Sequence, residues 1–319
     1  MNLRTPICDM FEIEYPIFLA GMGQVAYADV CAAVSEAGGY GTLGMAAAHP
    51  EEIREEMRRV RERTKKPFGV DLLAALPEQM LASIDIILEE GASSFIAGLG
   101  VPGPVIGKCH EAGVKVVSMC GKVEHAVRAE QAGCDVVVAQ GTEAGGHTGK
   151  IASMALIPQI VDAVKIPVLA AGGIVDGRGL AAALAFGAQG VWMGTRFIAS
   201  NEARAARRFK EQIVASNGGD TQVTRCYSGK PMRVINNPYV EEFERNPERI
   251  KRFPEQMIDS AVAGVLGYSQ DELTDPKRTC MPAGQGIGGI TEVLPAAEIV
   301  ARVMSEARAT LARLQQLEG

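Results

Sequence analysis

Three features of the 319-residue chain predict an α/β fold, a closed (β/α)8 barrel of the TIM type carrying an inserted, mostly helical cap. A helix-end glycine followed by a short apolar run recurs along the chain. Strand starts fall near residues 16, 40, 67, 94, 115, 135, 167 and 189, and runs such as Val136-Val137-Val138-Ala139 are apolar on both faces. Strands buried on both faces belong to parallel sheets, and eight βα units fill a barrel of about 250 residues. A doubly wound open sheet is the alternative. The count of eight, with glycine-rich loops after the last two strands, favours the barrel.

The elements follow in order. Pro16 to Ala20 is opened by a proline, which a strand tolerates at its first residue. Glu36-Ala37-Gly38-Gly39-Tyr40-Gly41 gives the first helix end, its C′ glycine and the next strand. Pro50 to Lys65, with alternating charges, and Pro77 to Glu89, with Met80, Leu81, Ile84, Ile87 and Leu88 in a stripe, read as helices. The helix-end signal returns at Gly91, Gly113, Gly133 and Gly187. Lys122 to Ala132 and Gly177 to Phe186 read as helices, and Pro167 to Ala170 as another proline-opened strand. After Thr195 the rhythm breaks. Residues 200–290 lack β-alternation, with helix expected over Glu202 to Ala215 and near Pro254 to Leu266, and irregular chain around Tyr227 to Asn237. The expected division is therefore a barrel from residues 1–199 and 291–319, closed by a helix over Leu294 to Leu317, with a cap or lid at 200–290.

Composition narrows the function classes. A net charge of −6 gives no electrostatic footprint for nucleic acid or an anionic membrane. Apolar runs are too short to span a bilayer, and Met1-Asn2-Leu3-Arg4-Thr5-Pro6 lacks a signal-peptide core, so a cytoplasmic protein is expected. The seven cysteines are scattered without a C-x-x-C pair, which argues for small core hydrophobes over disulfides or a metal site; no metal is expected. Of the 36 glycines, 26 precede residue 200, so the excess belongs to the barrel half.

In such barrels ligands bind where strands end, so the loops after strands carry the candidates. Gly172-Gly173 follows the seventh strand and Gly194-Thr195 the eighth. Paired glycines expose backbone N–H groups there, as a phosphate site needs. After the sixth strand comes Gln140-Gly141-Thr142-Glu143-Ala144-Gly145-Gly146-His147. Alone among the four histidines, His147 lies in a glycine-rich loop at the catalytic rim, where an imidazole can exchange a proton near neutral pH. After the first strand, Gly21, Met22 and Gly23 allow close backbone approach and a sulfur contact to a planar ligand. Asp71 ends the third strand, as a ligand contact or a helix cap. The run Met281 to Ile290, with Gly284 and Gln285, either crosses the mouth as a lid or substrate contact or only links the cap to the closing helix. Seven Arg or Lys against two acids over residues 204–233 form a local basic excess, either a solvated face or a landing site for an acidic partner.

On these stretches the chain resembles the FMN-dependent nitronate monooxygenase family, the former 2-nitropropane dioxygenases. Tyr15-Pro16-Ile17 leading to Gly21-Met22, Pro67-Phe68-Gly69-Val70, Glu143 to His147, Ala171 to Ile174 and Met193 to Phe197 carry the likeness. The same stretches are similar to the enoyl-acyl-carrier-protein reductases of the second type and to some NADH:quinone reductases. The resemblance implies FMN across the barrel mouth, its phosphate at Gly172, Gly173, Gly194 and Thr195, with Gly21, Met22, Gly23, Gln140 and Gly145 bordering it. It implies His147 as the base that takes the α-proton of a nitroalkane, with O2 reoxidising the flavin. On the alternative branches it admits NADH or NADPH as co-substrate and an acyl carrier protein as partner, and a homodimer as assembly. The family pattern has asparagine after Phe-Gly-Val. Asp71 departs from it, and a carboxylate beside a reduced flavin must be protonated or turned away. Thr224 to Pro231 lies closer to the monooxygenase branch. A flavin-free lyase or isomerase for a phosphate-bearing ligand is a third reading, and a non-catalytic binding module is disfavoured by the His147 loop.

Overall fold

The computed structural model describes residues 3–318. Met1 and Asn2 of the N-terminal stretch, and Gly319 at the end of the expected 291–319 barrel segment, lie outside the described residues. A short helix α1 (Pro6–Met10) precedes β1 (Ile17–Leu19), α2 (Ala28–Glu36), β2 (Gly41–Gly44), α3 (Pro50–Arg63) and β3 (Phe68–Leu73). Next come α4 (Pro77–Glu89), β4 (Ser94–Gly98), α5 (Gly103–Glu111), β5 (Lys115–Cys120), α6 (Val123–Gln131) and β6 (Val136–Gln140). A two-residue strand β7 (Gly146–His147) is followed by α7 (Ser153–Ala163), β8 (Val168–Ala171), α8 (Gly177–Ala185), β9 (Gly190–Met193) and α9 (Thr195–Ile198). The chain ends with α10 (Arg207–Ala215), β10 (Thr221–Thr224), β11 (Met232–Ile235), α11 (Pro238–Arg245), α12 (Glu255–Val262) and the long α13 (Ala296–Gln315).

Eight strands pair in parallel in the order β1-β9-β8-β6-β5-β4-β3-β2. The ring closes thinly between β1 and β2, through a parallel bridge of Phe18 and Tyr40. There the Leu19 N–H donates to Tyr40 O and the Tyr40 N–H to Ile17 O. All five recurring helix-end glycines (Gly38, Gly91, Gly113, Gly133 and Gly187) adopt the left-handed φ that ends a helix and turns the chain into the next strand. The inner faces of the strands form one apolar cluster, with Phe18, Ile96, Val117, Val138, Leu169 and Trp192, and α1 closes its bottom. The Phe11 ring meets Phe18 and Tyr40 edge-on at centroid distances of 5.1 and 4.8 Å. That geometry suits aromatic quadrupoles. A second, larger cluster lies between the strands and the outer helices.

The cap differs from the sequence expectation in two ways. Helix begins at Arg207, not at Glu202, because residues 202–204 are spent on tethering. The Glu202 carboxylate accepts from the Ala296 N–H, Ser200 Oγ accepts from the Ala203 N–H, and the Arg204 N–H donates to Val25 O. The stretch expected to be irregular contains β11, paired antiparallel with both β10 and β7. These strands are too short for alternation to show. The cap has its own small core of Cys226, Tyr227, Met232, Val234, Val240 and Phe243. Among the described residues no helix is long and apolar enough to cross a membrane, and none of the seven cysteines is paired.

Candidate active site

A cavity of about 1290 Å³ opens where the barrel strands end, between them and the cap. Its wall includes Gly21, Met22, Gly23, Asp71, Gln140, Gly145, His147, Gly172, Gly173, Gly194, Thr195 and Gly284. The structure thus brings together all the predicted site residues except Gln285. Gln285 is exposed and outside the lining, because its N–H is spent on Glu143 O and the turn carries its side chain outward. Among the described residues, four non-glycine residues have left-handed φ, and three of them line this cavity: Gln24 (64°), Ala47 (62°) and Leu99 (56°). Backbone strain held at a cavity rim is a mark of functional loops.

His147 is presented by a strand, not the free loop the sequence suggested. It pairs with Met232 of the cap, while the Gln140 side-chain amide donates to His147 O at 2.6 Å. Arg233 of β11 is buried and donates to Thr142 O and to Thr221 Oγ1, locking the segment before His147 to the hairpin. His147 Nε2 lies 2.9 Å from Ser228 Oγ. The Ser228 hydroxyl also accepts from the Lys230 N–H and lies within donating distance of Lys230 O. With Nε2 held by Ser228, Nδ1 is the ring nitrogen with no protein partner among the described residues. Burial, and secondarily the positive charge of Lys230, push the imidazole pKa down to about 4. The ring is therefore neutral at pH 7 and can accept a proton, though less avidly than a free imidazole.

Asp71 lies within β3, opposite Ile96, not at its end, because the strand runs on to Leu73. Its side chain presses on the backbone of Gly21, where a Cβ would come within 2.3 Å of the Asp71 carboxyl oxygen. Burial raises its pKa well above the usual carboxylate range, against a smaller opposing effect of the hydrogen bond from the Gly98 N–H. A neutral carboxyl removes the conflict with a reduced ring that an ionised Asp71 would create.

The glycine loops have the form of an anion cradle. Gly172 and Gly173 are both left-handed, at 107° and 72°, and a Cβ on Gly172 would lie 2.7 Å from Ser153 Oγ. Among the described residues, the N–H groups of Gly173 and Thr195 have no acceptor within the protein. Thr195 Oγ1 accepts from the Gly284 N–H, tying the C-terminal glycine run to the cradle. At Gly194 a Cβ would come 3.4 Å from Met22 Sδ. Free N–H groups, small residues and a deep apolar space suit a phosphate joined to a flat ring, and the residues present fit FMN.

Other residues in the wall were not singled out from the sequence. Ser228 and Lys230 stood in the Thr224 to Pro231 segment and the basic stretch without a role of their own, and His125 lay within the expected Lys122 to Ala132 helix. All three line the cavity. Only the β7–β11 pairing, invisible to local pattern, brings Ser228 to His147. The basic stretch itself is dispersed. Arg208, Lys210, Arg225 and Arg233 donate to backbone carbonyls, Arg207 pairs with Glu211, and Arg204 lies over the Tyr27 ring. Each of these six cations thus has a partner within the chain.

The family model described as Nitronate monooxygenase matches residues 4–83 and 78–306. A probable nitronate monooxygenase of Staphylococcus saprophyticus is 34% identical over 302 residues, covering 80% of this chain and 85% of that protein. A Rhodococcus jostii protein named (3aS,4S,5R,7aS)-5-hydroxy-7a-methyl-1-oxo-octahydro-1H-indene-4-carboxyl-CoA dehydrogenase is 38% identical over 245 residues, covering 77% of this chain and 69% of that protein. Among solved structures, FabK from Thermotoga maritima superposes with a TM-score of 0.91 at 36% identity, covering 98% of this chain and 99% of that one.

Proposed function

The chain belongs to the nitronate monooxygenase family and is an oxidoreductase, and from that premise we propose that it is an FMN-dependent enzyme of the nitronate monooxygenase type, acting on alkyl nitronates and nitroalkanes with O2. The observation that carries this reading is the pairing, in one cavity, of a neutral His147 held by Ser228 with the left-handed Gly172-Gly173 cradle. Bound FMN supplies a two-electron acceptor beside the substrate. The protein does the rest. Gly173 and Thr195 would offer N–H donors to the phosphate, Met22 and Gly21 would leave room for a flat ring, and Asp71 would line the same cavity in its neutral form. With Nε2 engaged by Ser228, Nδ1 takes the proton from the carbon next to the nitro group. Gln140 keeps the His147 backbone in register during that transfer.

A second reading has its own support. A cavity of about 1290 Å³ exceeds the ~300–1,000 Å³ of ordinary small-molecule sites. The Rhodococcus relative carries the name of a CoA-ester dehydrogenase. An NAD(P)H-dependent reductase of enoyl thioesters, or of quinones, would use the same flavin site. Anaerobic mixing of the yellow protein decides between them. Bleaching by propyl-2-nitronate without pyridine nucleotide supports the first reading. Bleaching only by NADH or NADPH, followed by reoxidation with an enoyl thioester, sinks it. A colourless protein that releases no flavin on heating sinks both.

A further inference from the structure

The cavity does not end at the barrel mouth. Its wall continues along one face of α6 through Lys122, His125 and Arg128 to Ala132, and along the loop after β4 through Leu99, Gly100 and Val101. From Lys122 to Ala132 is about 15 Å at a helical rise of 1.5 Å per residue. Lys122, His125 and Arg128 stand three residues apart, so successive side chains share that face. Among the described residues neither Lys122 nor Arg128 is paired with a carboxylate. Arg128 spends only its Nε, on Glu124 O, leaving the rest of its guanidinium free. Lys122 and Arg128 both act on His125 to lower its pKa, after burial, and Glu124 is the acid that opposes them. Three basic side chains thus face one groove in a protein of net charge −6. Unpaired cations along a groove that opens from a reaction cavity recognise a charged ligand, because phosphate oxygens accept charge-assisted hydrogen bonds from Lys and Arg.

We propose that this groove is a subsite for the phosphate-rich tail of an extended reactant, with Lys122, His125 and Arg128 as its anion contacts and the reacting end at His147. The ligand chemistry is a nucleotide diphosphate, carried either by a CoA thioester or by a pyridine dinucleotide. The inference rests on the reading of the cavity as a flavin oxidoreductase site. It accounts for the stretch of cavity wall along α6, since a nitroalkane alone has no group for these cations.

The test is calorimetric titration of the purified, flavin-loaded protein with CoA, NADH and NADPH, compared with Lys122→Glu/Arg128→Glu and Lys122→Ala/Arg128→Ala. Both positions are exposed, so flavin content and melting temperature of the variants are expected to match the parent. The expected result is a Kd at least ten-fold higher in the reversal variant for one probe class, a smaller rise in the alanine variant, and loss of the difference at high salt. A selective loss of CoA names a thioester tail, and a selective loss of NADH or NADPH a dinucleotide. The subsite is overturned if the parent binds none of the three, or if the reversal variant binds them as tightly as the parent. Absorbance near 450 nm on the same samples keeps the two readings apart. A yellow protein indifferent to the substitutions removes only the subsite, whereas a colourless one removes the flavin reading.

Discussion

The His147 imidazole is kept weakly basic by its surroundings. Its pKa near 4 comes first from burial and second from Lys230. An activity that needs the neutral ring is therefore present above that value and lost as pH falls through about 4, with a flat profile from about 5 to 8. Lys230→Met should move the acid limb upward by less than the full distance to 6.5, since burial stays; a limb that does not move in the pH profile of kcat/KM would remove Lys230 from the account. His147→Ala is expected to retain flavin while losing turnover of neutral nitroalkanes by about 10²–10⁴-fold, the range of a lost general base. Retained turnover would show that His147 is not the base. The same shift acts on stability. The unfolded chain takes up the proton near 6.5 and the folded one near 4, so acidification between those values favours unfolding. His147 itself was legible from its glycine-rich loop. Ser228 was not, because its relation to His147 spans 81 positions and no local spacing encodes it.

At the scale of elements, the site depends on a splice between barrel and cap. The three-stranded sheet β10-β11-β7 carries the histidine on a strand of only two residues. So short a strand cannot hold its own register, and Arg233 holds it by bonding Thr142 O from the facing strand. Arg233→Ala leaves the half-buried Thr142 carbonyl without its donor, at a cost of roughly 1 kcal/mol. The expected outcome is faster amide exchange over residues 142–148 and reduced turnover, with the barrel strands unchanged; uniform destabilisation across the protein would contradict it. Gly172→Ala should abolish flavin retention, because the left-handed φ and the 2.7 Å approach to Ser153 Oγ both oppose a Cβ. The barrel elements were readable because five of the helix-to-strand junctions repeat one device, a left-handed glycine between a helix and a buried strand. The cap was less so. In β10 and β11, four residues each, tertiary pairing sets the conformation.

For the whole molecule, all seven cysteines are free and buried, and burial raises the pKa of Cys120 and Cys226 to about 12. A thiol reagent should therefore titrate essentially none of them in the native protein and all seven after denaturation, and reductant should leave the melting temperature unchanged. Fast labelling of the native state would show that the cap opens. The chain has a single tryptophan, and the fold sets it on β9, stacked on Phe18 at 6.4 Å, in the wall of the cavity. No second indole contributes background light. Its emission overlaps the near-ultraviolet absorption of an isoalloxazine ring, so energy would pass from one to the other whenever the site is filled. The protein thereby carries its own gauge of occupancy: fluorescence should be dim in the yellow form, brighten as flavin is stripped, and dim again on titration with FMN, giving a loading curve with no label attached.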